Sequence, residues 1–456
     1  MKTGRSVPVA IVGGGFSGTM LAAQLARRGI ASLLIEGGGR AGRGTAFSTR
    51  EPAHLLNVRA EAMSAWPDAP EDFTSRAGDP RGFAERREFG RYLRDILDEA
   101  VASSFVELVA AKAVNAIPQG AGWAIELDDG PSIAAQALVL ATGNQPPEPL
   151  AVGADAGPRL INNPWSDEAA AAIAEAARTG GDVLLIGTGL TMIDAVLSLA
   201  AAGHAGRIVA VSRRGQLPRA HADFAAAPVE LDAVPQGDLL GLWRWLRRRS
   251  GEVGWRAAVD ALRPHSQALW RGLGADPQRR FLRHARPWWD VHRHRIAPQV
   301  ARQIAGLVAA GRLEIVAGRI AGMRAVEGGI KVAIRRRGQA FTPLSSAESL
   351  SPPRGVGQKF AFALNCTGPL GAIGRTQDAL LRGLLERGLV RADAHGIALA
   401  VDEQSRCAGA ERLWALGPLT KGFYWEIVAV PDIRVQAAAV AEDIANQAAS
   451  RCANGE

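Results

Sequence analysis

The sequence has little cysteine, lysine and tyrosine, and it lacks any long hydrophobic run. Three cysteines among 456 residues exclude a disulfide-bonded scaffold and fit a reducing compartment. Cys366, Cys407 and Cys452 form no C-x-x-C pair and no zinc-ligand cluster, so we predict no metal site. No apolar run approaches the roughly 18 residues of a membrane helix, and no secretory signal opens the chain. We therefore predict a cytoplasmic protein with no membrane partner.

The scarcity of lysine affects how the charge is interpreted. The net charge is +8 and the pI is about 10.1, which raises the question of a nucleic-acid partner. Lys2, Lys112, Lys331, Lys359 and Lys421 are the five lysines, and the other 48 basic residues are arginine. These arginines are dispersed and form no basic arm or low-complexity tail, so we predict no nucleic-acid partner. The content of 47% hydrophobic residues is typical of a globular protein.

One pattern occurs twice along the chain: a strand, a glycine turn, a helix and a second strand. The first copy runs from strand Pro8–Val12 through helix Thr19–Arg28 to strand Ser32–Glu36. The second copy runs from strand Val183–Ile186 to strand Arg207–Ser212. Because strands and helices alternate, the sequence predicts an α/β fold with doubly wound parallel sheets.

The first glycine turn has the spacing Gly13-x-Gly15-x-x-Gly18 directly between a strand and a helix, with Phe16 and Ser17 inside it. The first glycine permits the tight turn, the second lets a pyrophosphate approach the backbone, and the third allows close helix–strand packing. The unpaired N–H groups at the helix N-terminus attract phosphate. Glu36 ends the second strand, where a carboxylate accepts hydrogen bonds from ribose hydroxyls. This acidic dinucleotide site suits FAD.

The second glycine turn, Gly187-Thr188-Gly189, departs from the first at two positions. Met192 occupies the place of the third glycine. Where the first copy has its acidic residue, the second has Ser212-Arg213-Arg214. Guanidinium groups bind a ribose 2′-phosphate, whereas a carboxylate repels it, so we predict NADPH here rather than NADH. The alternative interpretation is that the two arginines lie on a solvated turn.

Two different dinucleotides imply two Rossmann-like domains, the second inserted into the first. We predict an FAD-binding domain over 1–150 and 355–456, and an NADPH-binding domain over 151–354. Residues 216–300 are rich in tryptophan and arginine at helical spacing, which predicts a mostly helical insertion. Pro343–Pro353 has the composition of a surface loop.

With both turns identified, the sequence resembles the bacterial FAD/NAD(P)-binding proteins of the two-dinucleotide-domain flavoprotein superfamily. Flavin-dependent N-hydroxylases, Baeyer–Villiger enzymes and flavin monooxygenases are more distant relatives. The resemblance covers nearly the whole chain. It rests on Gly13–Gly18, Gly44–Thr49, His54–Val58, Met63-Ser64, Gly187–Thr191, Ser212–Gly215, Asn365–Gly368 and Trp425-Glu426.

The resemblance also implies roles for residues outside the two turns. Ala141-Thr142-Gly143 and Cys366-Thr367-Gly368 are expected to be crossover segments close to FAD, and Gly44-Thr45-Ala46 to begin a flavin-contacting loop. Asn57 is expected at the isoalloxazine edge and is our candidate catalytic residue. In Leu416-Gly417-Pro418, proline replaces the aspartate with which relatives contact the ribityl chain. The predicted cofactor-binding residues are Gly13, Gly15, Phe16, Ser17, Gly18, Glu36, Gly44, Thr45, Ala46, Asn57, Thr142, Gly143, Gly187, Gly189, Thr191, Ser212, Arg213, Arg214, Thr367, Gly368 and Gly417.

Two absent motifs narrow the function that the resemblance implies. There is no C-x-x-C or C-x4-C pair, which disfavours flavin disulfide reductases. The Baeyer–Villiger fingerprint Phe-x-Gly-x3-His-x3-Trp is absent around residues 215–225. The resemblance then favours an NADPH-dependent monooxygenase that uses O2 and oxygenates a small molecule through a flavin C4a-peroxide. An NADPH-dependent flavin reductase or oxidase, and a non-catalytic redox-sensing flavoprotein, remain alternatives.

The Arg- and Trp-rich stretch allows more than one interpretation. His292 and His294 lie among arginines and two residues apart, which disfavours a metal. The arginines from Arg279 to Arg295 indicate a solvated helix or, alternatively, recognition of an anionic substrate. The tryptophans favour core and interdomain packing. Trp425 or Tyr424 is a candidate for the wall of a substrate pocket.

Overall fold

A computed structural model describes residues 6–336 and 357–454. The predicted loop Pro343–Pro353 lies outside the described residues. Two mixed sheets, each built around parallel strands, account for the described strands. The predicted α/β class with doubly wound sheets is confirmed.

The first sheet begins with the strand that leads into the first glycine turn. Its order is β3-β2-β1-β6-β5-β4, with β1 parallel to both β2 and β6. The first motif therefore leaves the middle of the sheet, at the carboxyl ends of its parallel strands. The strands are β1 (Val7–Val12), β2 (Ser32–Ile35), β3 (Val106–Val109), β4 (Ala113–Gln119), β5 (Gly122–Leu127) and β6 (Ile133–Leu140).

The second sheet has the order β12-β11-β10-β9-β8-β13-β7 and repeats the parallel centre of the first. Its long strand β10 runs parallel to β9 in its first half and antiparallel to β11 in its second half, with a register shift between Ile320 and Gly322. The strands are β7 (Leu160–Ile161), β8 (Val183–Ile186), β9 (Ile208–Ser212), β10 (Leu313–Val326), β11 (Gly329–Arg336), β12 (Gly357–Phe360) and β13 (Phe362–Asn365).

After the second sheet the chain returns to the first. Strand β14 (Leu413–Ala415) pairs in parallel with β6, with Leu413 opposite Leu138. The second sheet is therefore inserted into the sequence of the first. The boundaries at residues 150 and 355 remain predictions.

The helices connect these strands and cover the sheets. They are α1 (Phe16–Ala26), α2 (Gly44–Phe47), α3 (Thr74–Ala77), α4 (Arg86–Ala102), α5 (Asp167–Thr179), α6 (Leu190–Ala201), α7 (Leu239–Val253), α8 (Trp255–Ala261), α9 (Ser266–Gly272), α10 (Ala275–Arg280), α11 (Arg286–Arg293), α12 (Pro298–Ala309), α13 (Ala379–Glu386) and α14 (Val430–Asn454). Among the described residues, no helix combines the length and the apolarity needed to cross a membrane.

The predicted helical insertion begins later than residue 216. Residues 213–238, all of them described, form mostly irregular backbone with a 3-10 turn at Leu231–Ala233. Pro218, Pro228 and Pro235 each remove a backbone donor there, so a helix cannot continue through them. The helices start at α7, where the Asp238 side chain accepts a hydrogen bond from the Leu240 N–H at 3.0 Å.

Strand β1 shows why these apolar runs form central strands. Val9 and Ile11 belong to a core shared with α1, α4 and α14. Ala10 and Val12 belong to a second core shared with α13. Because successive side chains point to opposite faces, both faces of the strand are buried, and a continuous apolar sequence is required.

Candidate functional site

The first glycine turn has no room for side chains at two of its glycines. Gly13 has φ of +107°, and a Cβ there would lie 2.4 Å from the Ala141 carbonyl oxygen. A Cβ on Gly18 would lie 1.9 Å from the Gly13 carbonyl oxygen. Both distances are far below van der Waals contact, so the turn and the start of α1 require glycine at these positions.

The outer side of the same turn is open. A Cβ on Gly15, the N-cap residue of α1, would meet only the Gly44 Cα, at 3.6 Å. No side chain caps this helix, so its first N–H groups are available to an anion. A pyrophosphate therefore fits here.

Glu36 has a structural role in addition to its predicted role. Its carboxylate accepts the Gly14 N–H at 2.8 Å and the Gly38 N–H at 2.7 Å. The acidic side chain thus fixes the backbone of the glycine turn, and its contact with a ribose remains a prediction. The sequence predicted the contact with a ribose but not the hydrogen bonds to the glycine turn.

Other predicted FAD residues gather around this turn. A Cβ on Gly44, at the start of α2 with Thr45 and Ala46, would lie 2.8 Å from the Gly15 Cα. A Cβ on Gly417 would lie 2.5 Å from the Ser17 hydroxyl oxygen. The Gly417 N–H donates to the side-chain oxygen of Gln436 on α14 at 2.8 Å. Gln436 was missed because its sequence neighbours carry no motif.

The second glycine turn repeats the first closely. Gly187 has φ of +122°, and a Cβ there would lie 2.2 Å from the Cys366 carbonyl oxygen and 3.2 Å from the Thr367 nitrogen. Gly189, the N-cap of α6, would have no atom within 4 Å of its Cβ. Thr367 and Gly368 thus lie at the second turn, as Thr142 and Gly143 lie at the first.

The Met192 position shows how α6 packs without a third glycine. The Met192 side chain is fully buried in an apolar core with Leu185, Ile193 and Leu364. The helix is therefore spaced from its strands by a side chain, where α1 makes direct backbone contact. Thr191, another predicted cofactor residue, lies in the first turn of the same helix.

Ser212 shapes the turn that carries the two arginines. Its hydroxyl lies 2.8 Å from the Thr188 hydroxyl and accepts the Gly215 N–H at 3.0 Å. Arg213 is exposed and Arg214 is half-buried. Neither guanidinium forms an ion pair within the described part of the chain, so both are available to a phosphate.

Asn57 lies at the junction of the two units. Its carbonyl oxygen accepts a hydrogen bond from Nε2 of His221 at 3.0 Å. Burial lowers the pKa of His221 to about 4, although this hydrogen bond opposes the shift. The ring is therefore neutral at pH 7. Within the described residues, the side-chain amide of Asn57 has no hydrogen-bond partner and is free to contact a cofactor.

The segment after Gly417 joins the helical insertion. Trp425 stacks on Trp270 with ring centroids 4.5 Å apart. The Nε1–H of Trp270 donates to the Gly422 carbonyl oxygen at 2.8 Å. An apolar cavity of about 60 Å³ is lined by Trp270, Trp425 and side chains of the insertion, Trp289 among them. The interpretation of these tryptophans as packing between units agrees with this arrangement.

Two arginines of the insertion contradict the prediction of a solvated helix. Arg293 contacts the buried carboxylate of Glu426 at 2.8 Å. Arg295, 2% exposed, contacts Asp260 at 2.5 Å. Each buried guanidinium is compensated by a carboxylate of this chain. Neither is therefore free to bind an anionic substrate.

The two buried cysteines are not poised for redox chemistry. Cys366 and Cys407 are free and buried. Burial raises the pKa of Cys366 to about 12 and the pKa of Cys407 still further. Both remain thiols at neutral pH, and the thiolate is the reactive form. Within the described residues, no group of three or more His, Cys, Asp or Glu side chains could hold a metal.

Lys421 gives a test of the electrostatics near Gly417. Burial, followed by repulsion from Arg286, lowers its pKa to about 8, while Asp393 opposes the shift. Its Nζ donates to the Leu370 carbonyl oxygen at 3.4 Å. We expect Lys421→Met to raise the free energy of unfolding at pH 7 by about 2 kcal/mol, because a charged group is no longer buried.

Because the pKa of Lys421 is lowered in the folded state, the stability difference between wild type and variant depends on pH. An unfolded lysine keeps its proton to about pH 10.4, so between pH 8 and that value the unfolded wild type binds more protons than the folded state. Wild-type stability should rise across this window relative to the variant, and the gain should disappear near its upper end. Denaturant unfolding of both proteins at pH 7 and pH 10 measures the difference. An equal gain at both pH values would contradict the assignment.

Comparisons with known proteins agree with this geometry. A family profile described as FAD-NAD(P)-binding matches residues 10–145. An ornithine hydroxylase from Pseudomonas aeruginosa has a TM-score of 0.65 and 15% identity, over 97% of this chain and 99% of that chain. L-lysine 6-monooxygenase from Pseudomonas syringae gives 0.62 and 16%, over 96% and 99%. No curated protein matches the sequence.

A different class of enzyme shares the same fold. Bacillithiol disulfide reductase from Bacillus cereus has a TM-score of 0.58 and 15% identity, over 97% of this chain and all of that chain. At these identities the likeness establishes the fold and leaves the reaction open. The family match and the two glycine turns confirm the predicted cofactors, FAD and NAD(P). Residues 10–145 therefore match an FAD-NAD(P)-binding family, and the chain as a whole has the fold of two-dinucleotide-binding-domain flavoproteins.

Proposed function

We propose that this flavoprotein is an NADPH-dependent monooxygenase that oxygenates a small molecule. The observation that carries the proposal is the opposite charge beside the two glycine turns. Glu36 lies beside the first, and Arg213 and Arg214 follow the strand beside the second. One site is thereby suited to FAD and the other to the 2′-phosphate of NADPH.

The state of the two cysteines whose side chains the structure describes supports oxygen rather than a disulfide as the electron acceptor. A disulfide reductase needs a reactive thiolate, and Cys366 and Cys407 are buried thiols with raised pKa values. This observation favours oxygenation over thiol chemistry.

In this proposal the chain's own residues bind and orient the reactants. When bound, NADPH would supply a hydride and FAD would supply the redox chemistry with O2. The N-termini of α1 and α6 bind the two pyrophosphates. Arg213 and Arg214 hold the 2′-phosphate, and the free amide of Asn57 contacts the flavin edge. We also propose that residues 1–150 and 355–456 form the FAD-binding domain and 151–354 the NADPH-binding domain.

The substrate is proposed to be a small molecule that enters beside the segment from Gly417 to Ile427. Trp425 on this segment lines the apolar cavity, so an apolar part of the substrate would exclude water there. Arg293 and Arg295 pair with internal carboxylates and give no support to an anionic substrate. The exposed arginines Arg279, Arg280 and Arg283 are the ones that such a substrate could still contact.

The test measures where the electrons of NADPH go. We expect NADPH to bleach the flavin anaerobically, and NADPH oxidation in air to consume one O2 per NADPH and place one oxygen atom of ¹⁸O₂ in an organic product. Candidate small molecules are screened for stimulation of NADPH oxidation. Stoichiometric H2O2 with every candidate would indicate an oxidase or reductase instead. A flavin that NADPH does not bleach would indicate a redox-sensing flavoprotein without turnover.

A further inference from the structure

The loop of residues 49–59 contacts helix α6 through a buried histidine. His54 is 4% exposed. Its Nδ1 lies 2.8 Å from the Thr49 hydroxyl, and its Nε2 lies 3.0 Å from both the Asp194 carbonyl oxygen and the Ser198 hydroxyl. A carbonyl oxygen only accepts, so Nε2 carries the proton and Nδ1 accepts from Thr49. One imidazole thus joins the predicted flavin-contacting loop to helix α6.

An ion pair lies beside this histidine and joins α4 to α6. Arg86, the first residue of α4, contacts the Asp194 carboxylate on α6 at 2.7 Å, and their side chains are 15% and 7% exposed. Its Nε also donates to the Leu55 carbonyl oxygen at 3.2 Å, and its backbone N–H donates to the His54 carbonyl oxygen at 2.9 Å. The loop, α4 and α6 therefore meet in one hydrogen-bonded cluster.

The far end of the loop is held by the second unit as well. His221 donates to the Asn57 carbonyl oxygen at 3.0 Å, and Arg59 contacts Asp223 at 2.6 Å. The loop that carries Asn57 is thus fixed at one end to α6 and at the other end to the irregular segment that follows β9. Gly44, which precedes this loop in the chain, packs closely against Gly15 of the first glycine turn.

We propose that His54, Arg86 and Asp194 are positioning residues that set the distance between flavin and nicotinamide during hydride transfer. Helix α6 is rigid and begins at Gly189 of the second turn, so a contact at its fifth residue, Asp194, fixes its N-terminus. The inference rests on the proposed reduction of FAD by NADPH. It adds which contacts of this chain hold the flavin site and the nicotinamide site in the relative position that hydride transfer requires.

This cluster is better explained by a role in orienting the two nucleotide sites than by a contribution to the stability of the fold. A buried ion pair loses in desolvation about as much as it gains in attraction, and apolar replacement of both partners is often neutral for stability. Its hydrogen bonds are nevertheless directional, whereas apolar contacts permit sliding. A displacement of about 1 Å between reacting groups lowers a rate roughly 100-fold. The cluster should therefore affect the rate of hydride transfer more than folding.

The test replaces the ion pair by apolar side chains of similar size. We expect the double variant Arg86→Met/Asp194→Leu to fold with FAD bound and to bind NADPH within about threefold of the wild type, because the phosphate-binding residues are untouched. The anaerobic rate of flavin reduction by NADPH should fall at least about tenfold. Dithionite needs no nicotinamide site, so it should reduce the flavin of the wild type and the flavin of the double variant equally fast. His54→Gln provides a second variant that keeps the ion pair, and its NADPH reduction rate should also fall.

A matched control removes an ion pair that lies within the second unit. Arg159 and Glu175 are 2.7 Å apart, and Arg159→Gln/Glu175→Gln should leave the NADPH reduction rate unchanged. Wild-type reduction rates in both cluster variants would overturn the positioning role and leave the proposed function intact. A loss explained entirely by weaker NADPH binding would also overturn it. Failure of NADPH to reduce the wild-type flavin would overturn both proposals.

Discussion

A variant in which Arg213 and Arg214 are both replaced by serine is expected to lose its preference for NADPH over NADH. Neither guanidinium is committed to an ion pair within the described residues, and both follow β9 where the sugar of a bound dinucleotide is expected. Charge-assisted hydrogen bonds contribute about 1.5–3 kcal/mol each. The loss of two should lower kcat/KM for NADPH roughly 100-fold.

Steady-state kinetics with both nucleotides measure this change. The value of kcat/KM for NADH should remain within about threefold of the wild type, because NADH has no 2′-phosphate to lose. Arg247→Ser/Arg248→Ser removes two exposed arginines of α7 and serves as the control for net charge. An equal loss with NADPH and NADH would contradict the assignment, as would an equal loss in the control variant.

Gly18→Ala is expected to abolish FAD binding. The added Cβ would lie 1.9 Å from the Gly13 carbonyl oxygen, which is backbone that cannot rotate away. Helix α1 must then separate from the glycine turn, and the N–H groups that face the pyrophosphate lose their alignment. We expect the purified variant to contain little flavin and to bind added FAD at least about 100-fold more weakly. Flavin absorbance per protein chain and an FAD titration measure both effects.

The second glycine turn offers a matched control for this experiment. Met192 occupies the equivalent position and is fully buried. Met192→Ala should lower the free energy of unfolding by about 2–4 kcal/mol through the cavity it leaves, with the FAD content unchanged. Circular dichroism of Gly18→Ala distinguishes loss of cofactor from loss of fold. A folded Gly18→Ala protein with full flavin content would contradict the role given to the first turn.

The two glycine turns were predictable because their physics is local. The short segment Val12–Gly18 contains a strand end, a turn and a helix start. Glycine is required at Gly13 by its positive φ and at Gly18 by the close approach of the Gly13 carbonyl oxygen. The α/β class followed in the same way, since continuous apolar runs such as Val9–Val12 suit only strands buried on both faces. The two copies of the strand, glycine turn and helix also predicted two domains, with the second inserted into the sequence of the first.

Local sequence patterns gave wrong predictions where the burial of a residue depends on partners that are distant in the sequence. Arg293 and Arg295 have the spacing of a solvated helix, yet Glu426 and Asp260 neutralise them in the interior. Leu239 starts the helical insertion because Asp238 caps it and prolines interrupt the preceding residues. Trp270 and Trp425 are far apart in sequence, and only the fold stacks them.

The sequence by itself determined the two dinucleotide turns, the charge beside each, and the alternation of strands and helices, because each depends on residues a few positions apart. The tertiary structure alone decided how the two sites face each other. His54 reaches Asp194 across 140 positions, and Arg86 reaches the same residue across 108. No periodicity or spacing encodes such pairs, since they exist only after both sheets have formed and packed together.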